Sequence, residues 1–328
     1  MKVTVQNRRG KELAVITVSG DAATVAELKQ GIESAMKTSE ARQRLTLPLS
    51  ADSAKKGSKP VALTDDSATL SSYGLADGDV IVFKDLGPQI SWRLVFFIEY
   101  FGPMVIFPIL YYGQKHVYGA VSPGGHPSFQ EALRHFVAAP TVSVREAQLV
   151  ASVCWFLHFL KREYETLFVH RFSNGTMPIR NLFKNCAYYW GFALLVGYFV
   201  CHPLYTPAAQ QWQRILGLAI FAVCEISNYR CHAILRDLRP KGSRVRKVPH
   251  GFAFELVSCP NYMFEILSWF GFNMMTQTVM GIAYMLAGAG QMWVWALKKH
   301  RNYRREFDGK DGRELYPKNR KILIPYLL

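Results

Sequence analysis

Residues 92–112 read WRLVFFIEYFGPMVIFPILYY, an almost unbroken apolar run. A helix needs about 20 mostly apolar residues to cross the hydrocarbon core of a bilayer. The run therefore predicts a membrane-spanning helix, Trp92–Tyr112. Residues 1–19 alternate apolar and polar positions and lack the continuous apolar core of a signal peptide. We therefore expect the internal run to direct insertion into the membrane.

Five further apolar stretches follow, and basic residues flank them in an alternating pattern. Residues 161–184 and 236–247 are rich in Lys and Arg, whereas residues 202–211 contain neither. Under the positive-inside rule, this alternation predicts six spans with both termini in the cytosol. Much of the net charge of +15 lies beside the apolar runs, which favours a membrane surface over nucleic acid as its partner. The further predicted spans are Ala147–Leu160 with an extension toward Phe168, Leu182–Cys201, Trp212–Ile226, Phe252–Gly271 and Asn273–Leu297.

The residues before the first apolar run have a different pattern. Residues 2–6 and 13–19 alternate as paired strands do, and helical spacing then continues to residue 36. Two further strands are expected at residues 45–49 and 79–84. The resulting order β-β-α-β-β predicts a β-grasp fold.

The segment TLSSYGLADGDVIVF at residues 69–83 is similar to ubiquitin-like modules. We therefore expect a mixed fold class. A ubiquitin-like domain is expected at residues 1–86 and an all-α polytopic membrane domain at residues 87–328, with a linker at residues 85–89. The chain continues past Lys84 and offers no free Gly-Gly tail there. A docking or stabilising role is therefore expected rather than conjugation.

Polar residues inside the predicted spans are candidates for chemistry. Glu99 lies in the first span, where an ionisable group is costly and is a functional candidate by default. The alternative is a Glu near the cytosolic end that reaches water. In the fifth predicted span, Pro260 is expected to break the helix, and Asn261, Tyr262 and Glu265 follow it. Tyr262 and Glu99 are expected at similar depths. Tyr262 is therefore either a functional residue or an interfacial anchor.

Arg236 and Arg239 are three residues apart and are expected to share a helix face. Arginine pairs suit phosphate recognition, but arginines also flank membrane spans.

The sequence lacks the motifs of metal-dependent enzymes and serine hydrolases. The six cysteines contain no CxxC pair, and the nine histidines are scattered. The sequence therefore predicts no metal site, and it contains no Rossmann fingerprint, P-loop or serine nucleophile elbow.

Several longer segments together carry a family resemblance. Residues 165–193 read ETLFVHRFSNGTMPIRNLFKNCAYYWGFA, and residues 235–243 read LRDLRPKGS. Residues 257–262 read VSCPNY, residues 299–307 read KHRNYRREF and residues 316–328 read YPKNRKILIPYLL. These segments resemble the very-long-chain trans-2-enoyl-CoA reductases of the steroid 5-alpha-reductase-like family.

The resemblance implies NADPH-dependent reduction of a trans-2-enoyl-CoA in the endoplasmic reticulum membrane. This is the last step of very-long-chain fatty acid elongation, and the other elongation enzymes are the implied partners. Hydride reaches the β-carbon and a proton reaches the α-carbon. The resemblance implies catalytic roles for Glu99 and Tyr262, and it leaves open which of them delivers the proton. The positions that it places near NADPH are Asn228, Arg236, Arg239, Asn261, Glu265, Arg301 and Tyr303.

Two other functions stay open from the sequence. One is a steroid or polyprenol-type double-bond reductase. Steroid reductases have a substrate-binding tyrosine where Phe159 follows His158 in this chain, which speaks against a steroid substrate. The other is a non-catalytic membrane scaffold that docks partners through the ubiquitin-like domain. The presence of Tyr262 and of the arginine pair speaks against a scaffold.

Overall fold

The computed structural model describes residues 1–20, 22–49, 60–119, 143–172, 175–239 and 247–327. Its contacts divide the chain into two compact units. The first unit contains residues 1–91 and 176–181, and the second contains residues 92–175 and 182–328. The domain boundary after residue 86 stays a prediction.

The first unit contains a four-stranded mixed sheet and one helix. The strand order is β2-β1-β4-β3. β1 pairs antiparallel with β2 and parallel with β4, and β3 pairs antiparallel with β4. This arrangement confirms the predicted order β-β-α-β-β. The elements are β1 (Lys2–Gln6), β2 (Glu12–Thr17), α1 (Val25–Met36), β3 (Gln43–Thr46) and β4 (Val80–Asp85).

Alternating apolar residues of this sheet pack against one face of α1. Val3 and Val5 of β1 are fully buried, as are Leu28 and Ile32 of α1. The strand period of two and the helical spacing of four place these side chains on facing surfaces. The Thr24 side chain caps α1 by accepting a hydrogen bond from the backbone N–H of Glu27.

The segment expected to be a linker is partly structured. Asp85 is the last residue of β4. Gln89–Ser91 forms β5, which pairs antiparallel with β6, Thr176–Pro178. Each of these two strands has only three residues, which is too few to give a periodic sequence signal. The sequence therefore gave no indication of this pairing.

The second unit is mostly helical. Among the described residues, three helices are long and apolar enough to cross a membrane: α2, α6 and α8. The six predicted spans are therefore not confirmed. The helices of this part of the chain are α2 (Trp92–Tyr112), α3 (Gln114–Tyr118), α4 (Val144–Tyr164), α5 (Arg180–Val200), α6 (Gln211–Asp237), α7 (Pro260–Thr276) and α8 (Val279–Glu306).

The expected break at Pro260 was wrong, because this proline begins α7 instead of interrupting it. Proline is well suited to the first helical position, where its missing N–H has no intrahelical partner to lose. The preceding residues Phe252–Glu255 form a separate 3₁₀ turn. Gln277, with φ of 49°, ends α7, and α8 then runs from Val279 to Glu306. The last helix is therefore displaced toward the C-terminus from the predicted span Asn273–Leu297.

An aromatic core joins the helices of the second unit. The Trp155 ring of α4 lies 5.2 Å from Phe107 of α2 and 5.1 Å from Trp269 of α7. All three side chains are at most 3% exposed. At another contact, a Cβ added to Gly271 of α7 would lie only 2.6 Å from the carbonyl oxygen of Gly217 of α6. The absence of side chains at these two positions therefore lets the backbones of α6 and α7 approach closely.

Candidate active site

Glu99 is a buried carboxyl of α2 and is only 1% exposed. Asn185 Nδ2 of α5 donates a hydrogen bond to Glu99 Oε2 at 2.6 Å. The neighbouring Tyr100 hydroxyl accepts a hydrogen bond from Arg162 Nη2 at 3.1 Å, and the guanidinium carbon lies 5.1 Å from the Tyr100 ring centre. Glu99 therefore does not reach water as a residue at the end of a span would. It lies in a polar cluster enclosed by three helices.

Arg162 also contacts a carboxylate and histidine cluster. Arg162 Nη1 donates to Glu165 Oε2 at 2.7 Å. The other oxygen of Glu165 lies 2.9 Å from His232 Nδ1, and His170 Nε2 lies 3.9 Å from Oε2. One ligand atom from each of Glu165, His170 and His232 lies within 4.8 Å of the others, which is a spacing compatible with a metal ion. The Arg162 guanidinium, however, already supplies positive charge to Glu165, and it would repel a divalent cation.

Three of the predicted cofactor-binding residues lie together. Asn228 Nδ2 of α6 donates to the backbone oxygen of Asn261 at 2.8 Å and to Glu265 Oε2 at 3.1 Å. Lys161 Nζ donates to Asn228 Oδ1 at 2.7 Å. Asn261 Oδ1 is buried and has no hydrogen-bond partner among the described residues. The first turn of α7 thus presents a buried acceptor that suits an amide or hydroxyl donor on a ligand.

Charged residues beyond those predicted complete this network. His158 Nδ1 lies 2.8 Å from Glu225 Oε1, and Lys161 Nζ lies 2.8 Å from Glu225 Oε2. On the other side of the ring, His158 Nε2 lies 3.4 Å from Glu265 Oε1. The sequence reasoning missed these contacts because it took Lys161 and Arg162 as charges that flank a span. Their position one helical turn after His158, which is itself polar within an apolar run, was the available signal.

Tyr262 lies in the first turn of α7, beside a cation. Lys299 Nζ of α8 lies 5.9 Å from the ring centre of Tyr262 and 5.9 Å from that of Tyr303. The structure therefore brings the predicted site residues Tyr262 and Tyr303 together around Lys299, which was not predicted as a site residue. Arg162 interacts electrostatically with both Glu99 and Tyr262.

The three arginines of the predicted site lie on α6, just beyond α6 and on α8. Arg236 pairs with the adjacent Asp237, its Nε lying 2.8 Å from Oδ1. Because α6 ends at Asp237, Arg239 lies beyond the helix, and the expectation of one shared helix face was wrong. Arg301 is an exposed residue of α8. The structure therefore leaves their cofactor role as a prediction.

An open cleft of about 470 Å³ lies beside the end of α6. Its lining combines apolar and charged side chains, with Lys247 and Arg313 supplying positive charge. Arg313 also pairs with Asp308 and Asp311, with N–O distances of 3.2 Å in both cases. The cleft is lined by Leu238, Lys247, Val248, His250, Phe307, Arg313 and Glu314.

Proteins with similar sequences cover nearly the whole chain. A very-long-chain enoyl-CoA reductase of Dictyostelium discoideum is 49% identical over 99% of this chain and 98% of its own length. The chain belongs to the very-long-chain enoyl-CoA reductase family. A probable very-long-chain enoyl-CoA reductase of Caenorhabditis elegans is 40% identical over 96% of this chain and 95% of its own. A putative enoyl reductase of Schizosaccharomyces pombe is 42% identical over 80% of this chain and 81% of its own.

Two family models divide this enoyl-CoA reductase homologue into regions. The model for a ubiquitin-like domain matches residues 16–90. The model described as 3-oxo-5-alpha-steroid 4-dehydrogenase matches residues 175–328. The first match confirms the predicted ubiquitin-like domain. The second covers α7 and α8 and most of the contacts of Asn228, Tyr262 and Lys299, so that part of the polar centre lies in the region shared with steroid dehydrogenases.

Proposed function

We propose that this protein reduces a trans-2-enoyl-CoA to the saturated acyl-CoA with NADPH. The observation that carries the proposal is the convergence of Asn228, Asn261 and Glu265 with Tyr262 and Lys299 around the start of α7. Full-length similarity to proteins named enoyl-CoA reductases supports the substrate class. We further propose a location in the endoplasmic reticulum membrane and a place as the last step of very-long-chain fatty acid elongation, beside the other elongation enzymes.

The residues around Asn261 fit the amide end of a nicotinamide cofactor. Asn261 Oδ1 is a buried acceptor without a partner among the described residues, and Glu265 lies one turn later on α7. Acceptors of this kind suit a carboxamide N–H₂ and ribose hydroxyls. NADPH, when bound, supplies the hydride. Arg236, Arg239 and Arg301, with the basic side chains of the cleft, would hold the phosphate groups, and the choice of NADPH over NADH belongs to the proposal.

The enzyme's own residues must then manage the charge that develops on the substrate. Hydride addition to the β-carbon makes the thioester carbonyl an enolate, whose oxygen carries negative charge. A hydrogen-bond donor placed at that oxygen stabilises the transition state. In our proposal Tyr262 is this donor. Lys299, whose Nζ lies 5.9 Å from the Tyr262 ring centre, adds positive charge where negative charge develops.

The enolate is resolved by protonation of its α-carbon. We assign this step to Glu99, because it is a buried carboxyl that lies on a different helix from Tyr262. Asn185 donates a hydrogen bond to one Glu99 oxygen and so orients the carboxyl that delivers the proton. The acyl chain would lie among the apolar side chains of the helices.

The test is the oxidation of reduced nicotinamide by purified protein in detergent, followed by absorbance. We expect an enoyl-CoA to start the oxidation of NADPH and to yield saturated acyl-CoA. The oxidation of NADPH is expected to be faster than that of NADH. Turnover of a 3-oxo-4-ene steroid in place of enoyl-CoA would favour the steroid reductase alternative. If folded protein oxidised no NADPH in the presence of either substrate, the result would favour the non-catalytic scaffold.

A further inference from the structure

Glu163 is a buried carboxyl to which the proposed reaction assigns no role. It lies in the last turn of α4 and is only 5% exposed. Neither of its carboxyl oxygens has a hydrogen-bond partner among the described residues. Burying an ionised carboxylate without a partner is very costly, so this environment favours the neutral acid. The structure therefore places inside the helical unit a carboxyl whose surroundings favour its neutral form.

The surroundings of Glu163 point toward Glu99. Glu163 follows Phe159 by one helical turn and shares its face of α4. The Phe159 ring lies 6.2 Å from the Tyr100 ring of α2 and 6.2 Å from the Tyr189 ring of α5. Glu99 is the neighbour of Tyr100, and its carboxyl interacts electrostatically with that of Glu163. Two buried carboxyls therefore lie in one region between three helices.

The two carboxyls differ in their hydrogen bonding. Glu99 accepts a hydrogen bond from Asn185 at 2.6 Å and interacts with Arg162, whereas Glu163 has neither partner. A pair of nearby acids in unequal environments divides into a member that holds a proton and a member that accepts one. The other titratable groups around Glu99 are Tyr100 of α2 and Cys186 of α5.

We propose that Glu163 is a proton-relay residue that returns a proton to Glu99 after each turnover. The inference rests on the proposed reduction, in which Glu99 gives one proton to the α-carbon of each product. Glu163 transfers its proton to the Glu99 carboxylate, through a side-chain rotation or one water, and takes another from solvent at the end of α4. One solvent proton is consumed per product, and no oxidation state changes. Glu163 acts through Glu99 and does not contact the substrate.

The test compares Glu163→Gln with Glu163→Asp in the purified full-length protein. The amide of Gln keeps the size and removes the exchangeable acid, whereas Asp keeps the acid. We expect the Gln variant to lower kcat by about tenfold or more, which is less than the roughly 10²–10⁴-fold contribution of a direct general acid because Glu163 acts through Glu99. KM is expected to stay within about twofold, because Glu163 does not contact the substrate. The deficit is expected to grow as pH rises, since solvent donors become scarcer, and Asp is expected to recover most of the rate.

Tyr164→Phe is the matched control, because Tyr164 is the next residue of α4 and is 49% exposed. It is expected to keep the parental kcat and pH profile. A Gln variant with parental kcat at every pH would overturn the relay. So would an equal loss at every pH that Asp does not recover, because that pattern indicates a structural role. Absence of turnover by the parent protein would overturn the proposed function itself, whereas parental turnover with an unaffected Gln variant would overturn only the relay.

Discussion

Asn185 shows how a single amide supports the site at the scale of one residue. Its Nδ2 donates a hydrogen bond of 2.6 Å to Glu99 Oε2. Removing the partner of a buried acid costs about 1–3 kcal/mol, which corresponds to a change of about fivefold or more in a rate that depends on that acid. The amide therefore matters through Glu99 and not through contact with the cofactor.

We predict that Asn185→Ala lowers kcat at least about fivefold, since the loss of a buried partner costs this much. Steady-state kinetics with an enoyl-CoA and NADPH measure the effect. Lys184→Ala is the control, because Lys184 is the preceding residue on α5 and is exposed. Equal rates for Asn185→Ala and the parent would show that Glu99 needs no orientation by Asn185.

Tyr262 has a separate role in the account, and its hydroxyl is expected to matter in the transition state. We predict that Tyr262→Phe lowers kcat by about 10²-fold or more, as the loss of one oxyanion donor does. KM for the enoyl-CoA is expected to change little. A Phe variant that keeps at least half of the parental kcat would remove Tyr262 from the chemistry.

At the scale of elements, the contact between α6 and α7 depends on two glycines. A Cβ on Gly271 would lie 2.6 Å from Gly217 O and 2.7 Å from Phe221 N, both of which are backbone atoms that cannot move as a side chain does. We predict that Gly271→Ala destabilises the protein by about 1–3 kcal/mol, the usual cost of overpacking. A lower thermal midpoint in detergent would report this loss.

Gly290→Ala provides a matched comparison for this packing. Gly290 lies within α8, and an added Cβ there meets no atom within 4 Å. Ala has the higher helix propensity by about 1 kcal/mol, so this variant is expected to be at least as stable as the parent. If both glycine variants behaved alike, the close contact of α6 and α7 would not explain the effect.

In the first unit, Arg42, which directly precedes β3, forms an ion pair with Asp85 of β4, and the contribution of this pair to stability depends on pH. Arg42 Nε donates to Asp85 Oδ1 at 3.0 Å, and the hydrogen bonds from Arg42 hold the pKa of Asp85 below its ordinary value of 3.8. A lowered folded pKa means that the stabilisation is present above 3.8 and is lost as pH falls through the folded value. The side chains are 35% and 41% exposed, so solvent screening keeps the effect small.

We therefore predict that Asp85→Asn reduces hydrogen-exchange protection of β3 and β4 at neutral pH, and that the difference from the parent disappears in acid. Glu12→Gln in the exposed part of β2 is the control and is expected to behave as the parent does. A difference between Asp85→Asn and the parent that persists below the Asp85 pKa would contradict an ionic origin.

The elements also show what could be predicted from the sequence. The bounds of α2 were predicted to the residue, because its apolar run is long and its ends are polar or basic. The β-grasp order followed from the period-two strands. Pro260 was misread, because a proline that begins a helix and one that breaks it look alike without the preceding turn. The pairing of β5 with β6 joins residues about ninety positions apart, so local patterns gave no sign of it.

At the scale of the whole molecule, the site residues themselves come from distant parts of the chain. Glu99, Asn228 and Tyr262 were predicted from polar residues in apolar surroundings or from family motifs. Their partners Asn185, Arg162 and Lys299 were not, since each lies close to the end of a predicted span, where a polar or basic residue is ordinary. Arg236 and Arg239 do not share a helix face, because α6 ends before Arg239. Sequence patterns thus predicted which polar side chains are buried better than they predicted the hydrogen-bonding and charged partners of those side chains.

The proposed reaction adds one hydride and one solvent proton to neighbouring carbons of the same substrate. The most direct test supplies a trans-2-enoyl-CoA and NADPH with deuterium at the transferable position, in ordinary water, and locates the label in the product by mass spectrometry. We predict a saturated acyl-CoA that carries one deuterium at the β-carbon and a proton from water at the α-carbon. Deuterium at the α-carbon, or no saturated product from folded protein, would contradict the account.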